Sequence, residues 1–357
     1  MTDPAADQDD PPAEPAPHRA RRWADAHRDD LAAVAIWAVA RLVLVVGLGL
    51  RMDDRFLWFG PQMPDLTLLQ DRLAETLWYL HTQPPLYAGF VGLALKVSPL
   101  STAGTFLVTN LAMGVALAVV LGRLFRLLGL GRPATFVALA LVVTNPALVA
   151  LELIASYDQP TILLLAALAL KTGRYVASGL GRDLAWVASL ATAAALTRTI
   201  FHPLWLALVL AGVLALRHPR AEPRRVAALV GAPLLLVLAL VAKNAVLFDV
   251  TGLTSFAGPS ISKIAGAAAS DEQVAELQRD GTVSPIFGRP VFWGYDTYAD
   301  GVEPCRRTRP DVPVLTETVR RYGGYPNMDD ECMLEVYRVP GADGIAYAQA
   351  HPGRIAA

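Results

Sequence analysis

The feature that most limits what this chain can become is a set of long apolar runs. Leu31 to Leu50, Phe106 to Leu121, Ala134 to Leu151 and Val226 to Val241 hold one charged residue among them, Arg41. Such runs approach the roughly 20 residues with which an α-helix crosses about 30 Å of hydrocarbon. Composition agrees: 54% of the 357 residues are hydrophobic and only 18% charged, where a soluble domain carries about 25% charged residues. The pattern predicts an all-α, polytopic membrane helix bundle and argues against an ordinary soluble enzyme. No basic patch interleaved with aromatics occurs, so no nucleic-acid partner is expected.

Seven transmembrane helices follow from the hydropathy, at about 31–50, 104–121, 133–151, 160–177, 184–197, 200–216 and 226–247. The stretch from Leu184 to Leu216 is divided near Arg198–Pro203, because one helix of that length at 1.5 Å per residue would reach about 50 Å. Arginines then set the orientation. Arg19, Arg21, Arg22 and Arg28, then Arg123, Arg126 and Arg132, then Lys171, Arg174 and Arg182, then Arg217, Arg220, Arg224 and Arg225 all fall on one side. The positive-inside rule makes that side cytoplasmic. The opposite loops carry Asp53, Asp54, Asp65, Asp71, Glu75, Glu152 and Asp158, with Arg198 and His202.

The expected organisation is a disordered cytoplasmic tail at 1–30, a cell-membrane domain at 31–247 and an extracytoplasmic region at 248–357. The proline-rich, acidic start cannot bury enough apolar surface to fold, and its length before Leu31 predicts an uncleaved anchor rather than a signal peptide. In the last region Asp271–Arg279 reads as a short polar helix. The only two cysteines, Cys305 and Cys332, are a pair that an oxidising compartment would join; two separate free thiols are the alternative.

The first external loop is long. Leucines at 66, 69, 73, 77 and 80 form a helical stripe, read as one amphipathic helix on the membrane interface with Trp78 and Tyr79 at headgroup level. Asp65 stands at its start, where an N-cap and a catalytic carboxylate are both compatible with the position. His81-Thr82-Gln83-Pro84-Pro85-Leu86-Tyr87 follows, and the double proline ends one helix and opens the next.

At this point the sequence resembles the GT-C superfamily of membrane glycosyltransferases, among them the mannosyltransferases and aminoarabinose transferases that use polyprenyl-phosphate sugars. The resemblance rests on the acid in the first loop, on Pro84-Pro85-Leu86-Tyr87, on the acidic turn from Glu152 through Tyr157-Asp158-Gln159-Pro160 to Thr161, on Thr197-Arg198-Thr199-Ile200-Phe201-His202-Pro203, and on Lys243-Asn244. Leu66 follows Asp65 where well-known members carry a second acid. Members also continue into further membrane helices beyond the equivalent of His351-Pro352-Gly353-Arg354, so the resemblance implies a shortened relative or a piece of a longer protein.

What the resemblance implies is transfer of a sugar from a polyprenyl-phosphate donor to an acceptor hydroxyl at the outer interface, with inversion. A carboxylate there can take the acceptor's proton. Asp65 is the first choice and Asp158 the second, with Glu152 orienting the acceptor or sharing a divalent metal ion. The leaving lipid phosphate needs cations, for which Arg198, His202 and Lys243 are at suitable depth, with His81 nearby. Snorkelling to lipid headgroups explains the cations equally simply, and packing explains His81. Arg41, inside the first span, is read as a structural ion pair or a groove contact. The rival readings are a lipid or sugar transporter or flippase, and an inactive membrane scaffold; the acceptor has no residue signature.

Overall fold

A computed structural model describes residues 27–355; the proline-rich tail, with Arg19, Arg21 and Arg22, lies outside the described residues. Among the described residues the secondary structure is helical, with only two isolated bridges, Asp53 with Ile154 and Val319 with Pro326. The first helix, α1 (Arg28–Arg41), runs on into a π-helical turn at Leu42–Val46. Four short helices fill the first loop: α2 (Arg55–Phe59), α3 (Leu66–Asp71), α4 (Leu73–Tyr79) and α5 (Pro85–Val97). The bundle continues with α6 (Thr102–Leu127), α7 (Arg132–Val143), α8 (Pro146–Glu152), α9 (Asp158–Ser178), α10 (Gly181–Thr197), α11 (Pro203–Leu216) and α12 (Pro223–Phe248). The C-terminal region holds α13 (Ala257–Ala268), α14 (Asp271–Arg279), α15 (Pro313–Thr316), α16 (Met333–Ala350) and α17 (Pro352–Ile355).

Three helices, α6, α9 and α12, are long and apolar enough to cross a membrane, and α7 with α8 makes a fourth if the bent pair is one span. The remaining expected spans are shorter helices. α1 and α11 have 14 residues each, about 21 Å at 1.5 Å per residue. The apolar run at 133–151 is bent by 62° between its two helices. Asn145 causes the break locally, because its side chain accepts from the Ala147 amide at 2.9 Å while Pro146 occupies the first turn of α8.

The leucine stripe is likewise two helices rather than one. Arg72, at φ −130° and ψ 44°, leaves helical geometry and separates α3 from α4. Leu66, Leu69 and Leu80 are buried all the same, with Leu57, Met63, Tyr87, Val91, Phe106, Ala155 and Tyr157 in one cluster. The stripe therefore packs on the protein, and Trp78 on the other face stays 57% exposed.

Loop contacts gather at the two ends of the bundle. At the arginine-rich end, Arg123 Nε donates to Asp30 at 2.9 Å, Arg132 pairs with Asp29 at 3.1 Å, and Tyr175 donates its hydroxyl to the Arg217 carbonyl at 2.8 Å. At the opposite end the Asp53 amide donates to the Leu153 carbonyl at 2.8 Å, and the Ala155 amide to the Asp53 carbonyl at 2.9 Å. The start of the first loop is thereby tied to the turn between α8 and α9.

The C-terminal region is bound to that same end rather than standing apart. Arg320 donates to the carbonyls of Trp58 and Gly60 at 3.0 and 2.8 Å, and the Ser255 amide donates to the His81 carbonyl at 2.8 Å. Trp58 and Tyr322 add a ring contact at 4.5 Å. Within the region α13 crosses α16 at glycine: a Cβ on Gly258 would lie 2.0 Å from the Tyr337 carbonyl oxygen. A disulfide joins Cys305 to Cys332.

Candidate functional site

The polar side chains named from sequence divide into three groups. The first is Asp158 and Arg198. The turn 152–157 and the break between α10 and α11 bring them together, with Arg198 Nη1 2.7 Å from Asp158 Oδ1. Asp158 Oδ2 accepts from Ser156 Oγ at 3.0 Å. Both charged groups stay partly open, with side chains 36% and 28% exposed for Arg198 and Asp158, so solvent or a ligand can reach the pair.

Aromatic rings hold this pair. The Arg198 guanidinium lies 4.5 Å over Tyr157, a geometry that favours a fixed cation. Tyr157 in turn meets Tyr87 edge-on at 5.9 Å and Phe56 at 5.2 Å, and its hydroxyl donates to the Gln62 side chain. Burial raises the Tyr87 phenol well above its ordinary range, and the nearby Asp158 carboxylate pushes it the same way. Tyr87 thus stays a neutral hydroxyl beside the carboxylate.

Two polar groups here lack partners. The buried Tyr87 hydroxyl and both amide atoms of Gln159 make no hydrogen bond among the described residues. A buried polar group without a partner costs on the order of 1–3 kcal/mol, so such groups mark places where a ligand or ordered water belongs. Tyr87, Tyr157 and Gln159 were in the quoted turns but had no role from sequence. Their signal was adjacency to the motifs, which does not say which side chain turns inward.

The second group is a seam between the first loop and the C-terminal region. His81 is fully buried; its Nδ1 lies 2.8 Å from Ser255 Oγ and its Nε2 lies 3.2 Å from the Asp329 carbonyl. Burial pulls the His81 imidazole below its usual range. Asp329 Oδ1 accepts from the Thr82 hydroxyl at 2.8 Å and the Thr82 amide at 3.2 Å. Lys243 caps the carbonyls of Trp78 and Leu80 at 3.0 and 2.9 Å. His81 and Lys243, expected as substrate contacts, are occupied here in joining α12, the first loop and the C-terminal region. Asp329 had no sequence signal, since its partners are 247 and 248 positions away.

The remaining residues have separate structural partners. Asp65, 2% exposed, caps α3: its Oδ1 accepts from the Thr67 amide at 2.7 Å, the Thr67 hydroxyl at 2.5 Å and the Leu68 amide at 3.3 Å. Its Oδ2 accepts from the Arg321 amide at 2.6 Å. Asp65, expected as the first-choice base, is thus buried with both oxygens engaged inside the protein, whereas Asp158 is the carboxylate that stays partly open. Glu152 is 1% exposed and binds Arg41 twice, Nε to Oε1 at 2.8 Å and Nη2 to Oε2 at 2.9 Å. It is a buried ion-pair partner rather than a group that could orient an acceptor. His202 is exposed but caps α11, its Nδ1 accepting from the Leu204 amide at 3.2 Å.

Among the described residues no three His, Cys, Asp or Glu side chains are grouped to hold a metal ion. The Asp158 pair offers one carboxylate beside a guanidinium, a poor donor set for a divalent cation. Searches against protein-family models, curated proteins and solved structures find no match to this chain. The functional reading accordingly rests on the residues themselves.

Proposed function

We propose that this chain is an integral membrane glycosyltransferase that moves a sugar from a polyprenyl-phosphate donor to an acceptor hydroxyl at the carboxylate-rich end of the bundle, with inversion. The observation that carries the reading is the meeting of three motif-like turns at one place. Tyr87 comes from Pro84-Pro85-Leu86-Tyr87, Tyr157 and Asp158 from the turn before α9, and Arg198 from the break after α10. A bundle of seven crossings, three or four of them by helices of full length, is supported by the separation of arginine-rich and carboxylate-rich loops to opposite ends.

In this reading Asp158 is the base. Its carboxylate takes the proton as the acceptor oxygen attacks the anomeric carbon, and the bond from that carbon to the phosphate oxygen breaks. The pair of electrons leaves with the polyprenyl phosphate. Arg198, already within 2.7 Å of the carboxylate, meets the charge that grows on the departing phosphate, the kind of stabilisation that contributes most in a site screened from water. Tyr87 and Gln159 supply the unpartnered polar atoms that would hold the acceptor.

The test is sugar transfer from a polyprenyl-phosphate donor in membranes carrying the protein. Asp158→Asn is expected to abolish transfer, and Arg198→Gln to reduce it by 10²-fold or more, on the order of the loss when one charge-stabilising group is removed. Asp65→Asn is expected to insert and retain transfer. Activity lost in Asp65→Asn but kept in Asp158→Asn would reverse the assignment. The buried Arg41–Glu152 pair is what favours the transporter reading, since intramembrane charges often line transport paths; movement of lipid across liposomes without transfer would establish it.

A further inference from the structure

At the arginine-rich end lies a cleft that the proposed reaction does not use. It is an open cavity of about 610 Å³ whose lining includes Leu180, Gly181, Arg182, Arg220, Glu222 and Arg225. Its charge is one-sided. At the neighbouring corner of the same end, Arg123, Arg126 and Arg132 are matched by Asp29 and Asp30. Arg182, Arg220 and Arg225 have no such match: among the described residues none of them makes an ion pair or a side-chain hydrogen bond. Glu222 is the one acid on the lining, and it makes no cap bond to α12.

The backbone holds the cleft in shape. Gly179, at φ 69°, ends α9 in the left-handed conformation, and its carbonyl accepts from the Arg220 amide at 2.7 Å. That bond ties the 217–220 segment to the start of α10. Both α10 and α12 begin at the cleft, so the positive ends of two helix dipoles add to the arginines' field rather than oppose it. At the charged lining and just before the 217–220 segment, large apolar side chains are left uncovered: Leu180 is 43% exposed and Leu216 67%. A ligand that satisfies both surfaces has an anionic head and an apolar body.

We propose that this cleft binds the phosphate headgroup of a single anionic phospholipid, whose acyl chains lie along the outer faces of α10 and α11. A soluble phosphate compound would satisfy the arginines but leave the adjoining apolar surface bare. The choice is independent of the catalytic reading, since it involves none of the same residues.

The experiment is native mass spectrometry of the full chain released from detergent, with phosphatidylglycerol or phosphatidylcholine added. One phosphatidylglycerol is expected to remain bound where phosphatidylcholine does not. The triple variant Arg182→Gln, Arg220→Gln, Arg225→Gln is expected to weaken retention on the order of a hundredfold, from the loss of three cations near the membrane surface. Glu222→Gln, which removes the one acid on the lining, is expected to strengthen it several-fold and gives a readout that does not depend on the triple variant folding. Millimolar inorganic phosphate should leave the bound lipid in place. Displacement by inorganic phosphate would assign the cleft to a soluble phosphate ligand and overturn the lipid. Equal retention of both lipids, or retention unchanged in both variants, would also overturn it.

Discussion

Arg41 and Glu152 show how a single residue's cost is offset. An arginine in an apolar helix is unfavourable by about 3 kcal/mol even on lenient insertion scales. Here each guanidinium nitrogen has an acceptor: two bonds go to Glu152, and Nη1 donates to the Val143 carbonyl at 2.5 Å. Trp37 Nε1 donates to Glu152 at 3.4 Å, and Gly114 leaves the space, since a Cβ there would come within 2.5 Å of Glu152 Oε2. Removing one partner strands the other charge, so Glu152→Gln is expected to lower stability by about 3 kcal/mol in a detergent unfolding measurement. Arg41→Met combined with Glu152→Leu should recover most of that loss; no recovery would show that the pair is not what the fold depends on.

His81 makes the second prediction at this scale. Burial is the main cause of its lowered pKa; Asp329 and Glu331 oppose the shift and Lys243 reinforces it. The unfolded chain therefore binds a proton at about pH 6.5, while the folded protein does so only at lower pH. Stability is then full above that value and falls as the pH drops through it toward the folded value. Melting temperature followed between neutral and acid pH should show this fall. His81→Gln, which has no proton to gain, should flatten it; an unchanged profile in that variant would assign the acid sensitivity elsewhere, and not to Asp330, whose burial-raised pKa makes it favour the folded state as the pH falls.

At the scale of elements, interruptions decide more than propensities. Asn145 and Pro146 turn one apolar run into α7 and α8, and Arg72 divides the leucine stripe into α3 and α4. Both breaks bring a helix end to the carboxylate-rich end of the bundle. Helix pairing in the C-terminal region depends instead on the absence of side chains, at Gly258 and Gly341. The atom facing Gly258 is a backbone oxygen of α16, which cannot rotate away. Gly258→Ala is expected to force α13 and α16 apart at a cost of about 1–3 kcal/mol. Limited proteolysis should then cut the segment between α14 and α15 faster than in the wild type, whereas equal rates would mean the helices accommodate the methyl group.

On the scale of the whole molecule, the C-terminal region acts as a cover bound to the first loop. Asp65 accepts from Arg321, Asp329 from Thr82, and Arg320 reaches the carbonyls at the end of α2. The disulfide closes a loop of 27 residues inside this cover, worth about 3 kcal/mol by loop entropy. Reduction without denaturant is expected to loosen the region from the first loop, seen as faster hydrogen exchange at 305–332 with little change in α6, α9 or α12. Uniform exchange before and after reduction would show that the polar contacts alone hold the cover.

The apolar helices and the polar helix Asp271–Arg279 were legible in the sequence, because each depends on residues within a few turns of one another. Periodicity and hydropathy are local properties, and the solvent that a helix prefers follows from them. Partner choice is not local. Asp65 carries the same cap signal whether or not its second oxygen meets Arg321, 256 positions on, and Glu152 reads as an external acid until Arg41, 111 positions back, is found against it. Asp158 and Arg198 were both named as candidates, but only the packing of α9 against α10 brought them within 2.7 Å. Chain composition determined that the helices are apolar; the tertiary structure decided which of the charges are neutralised in building the fold and which remain open to a ligand.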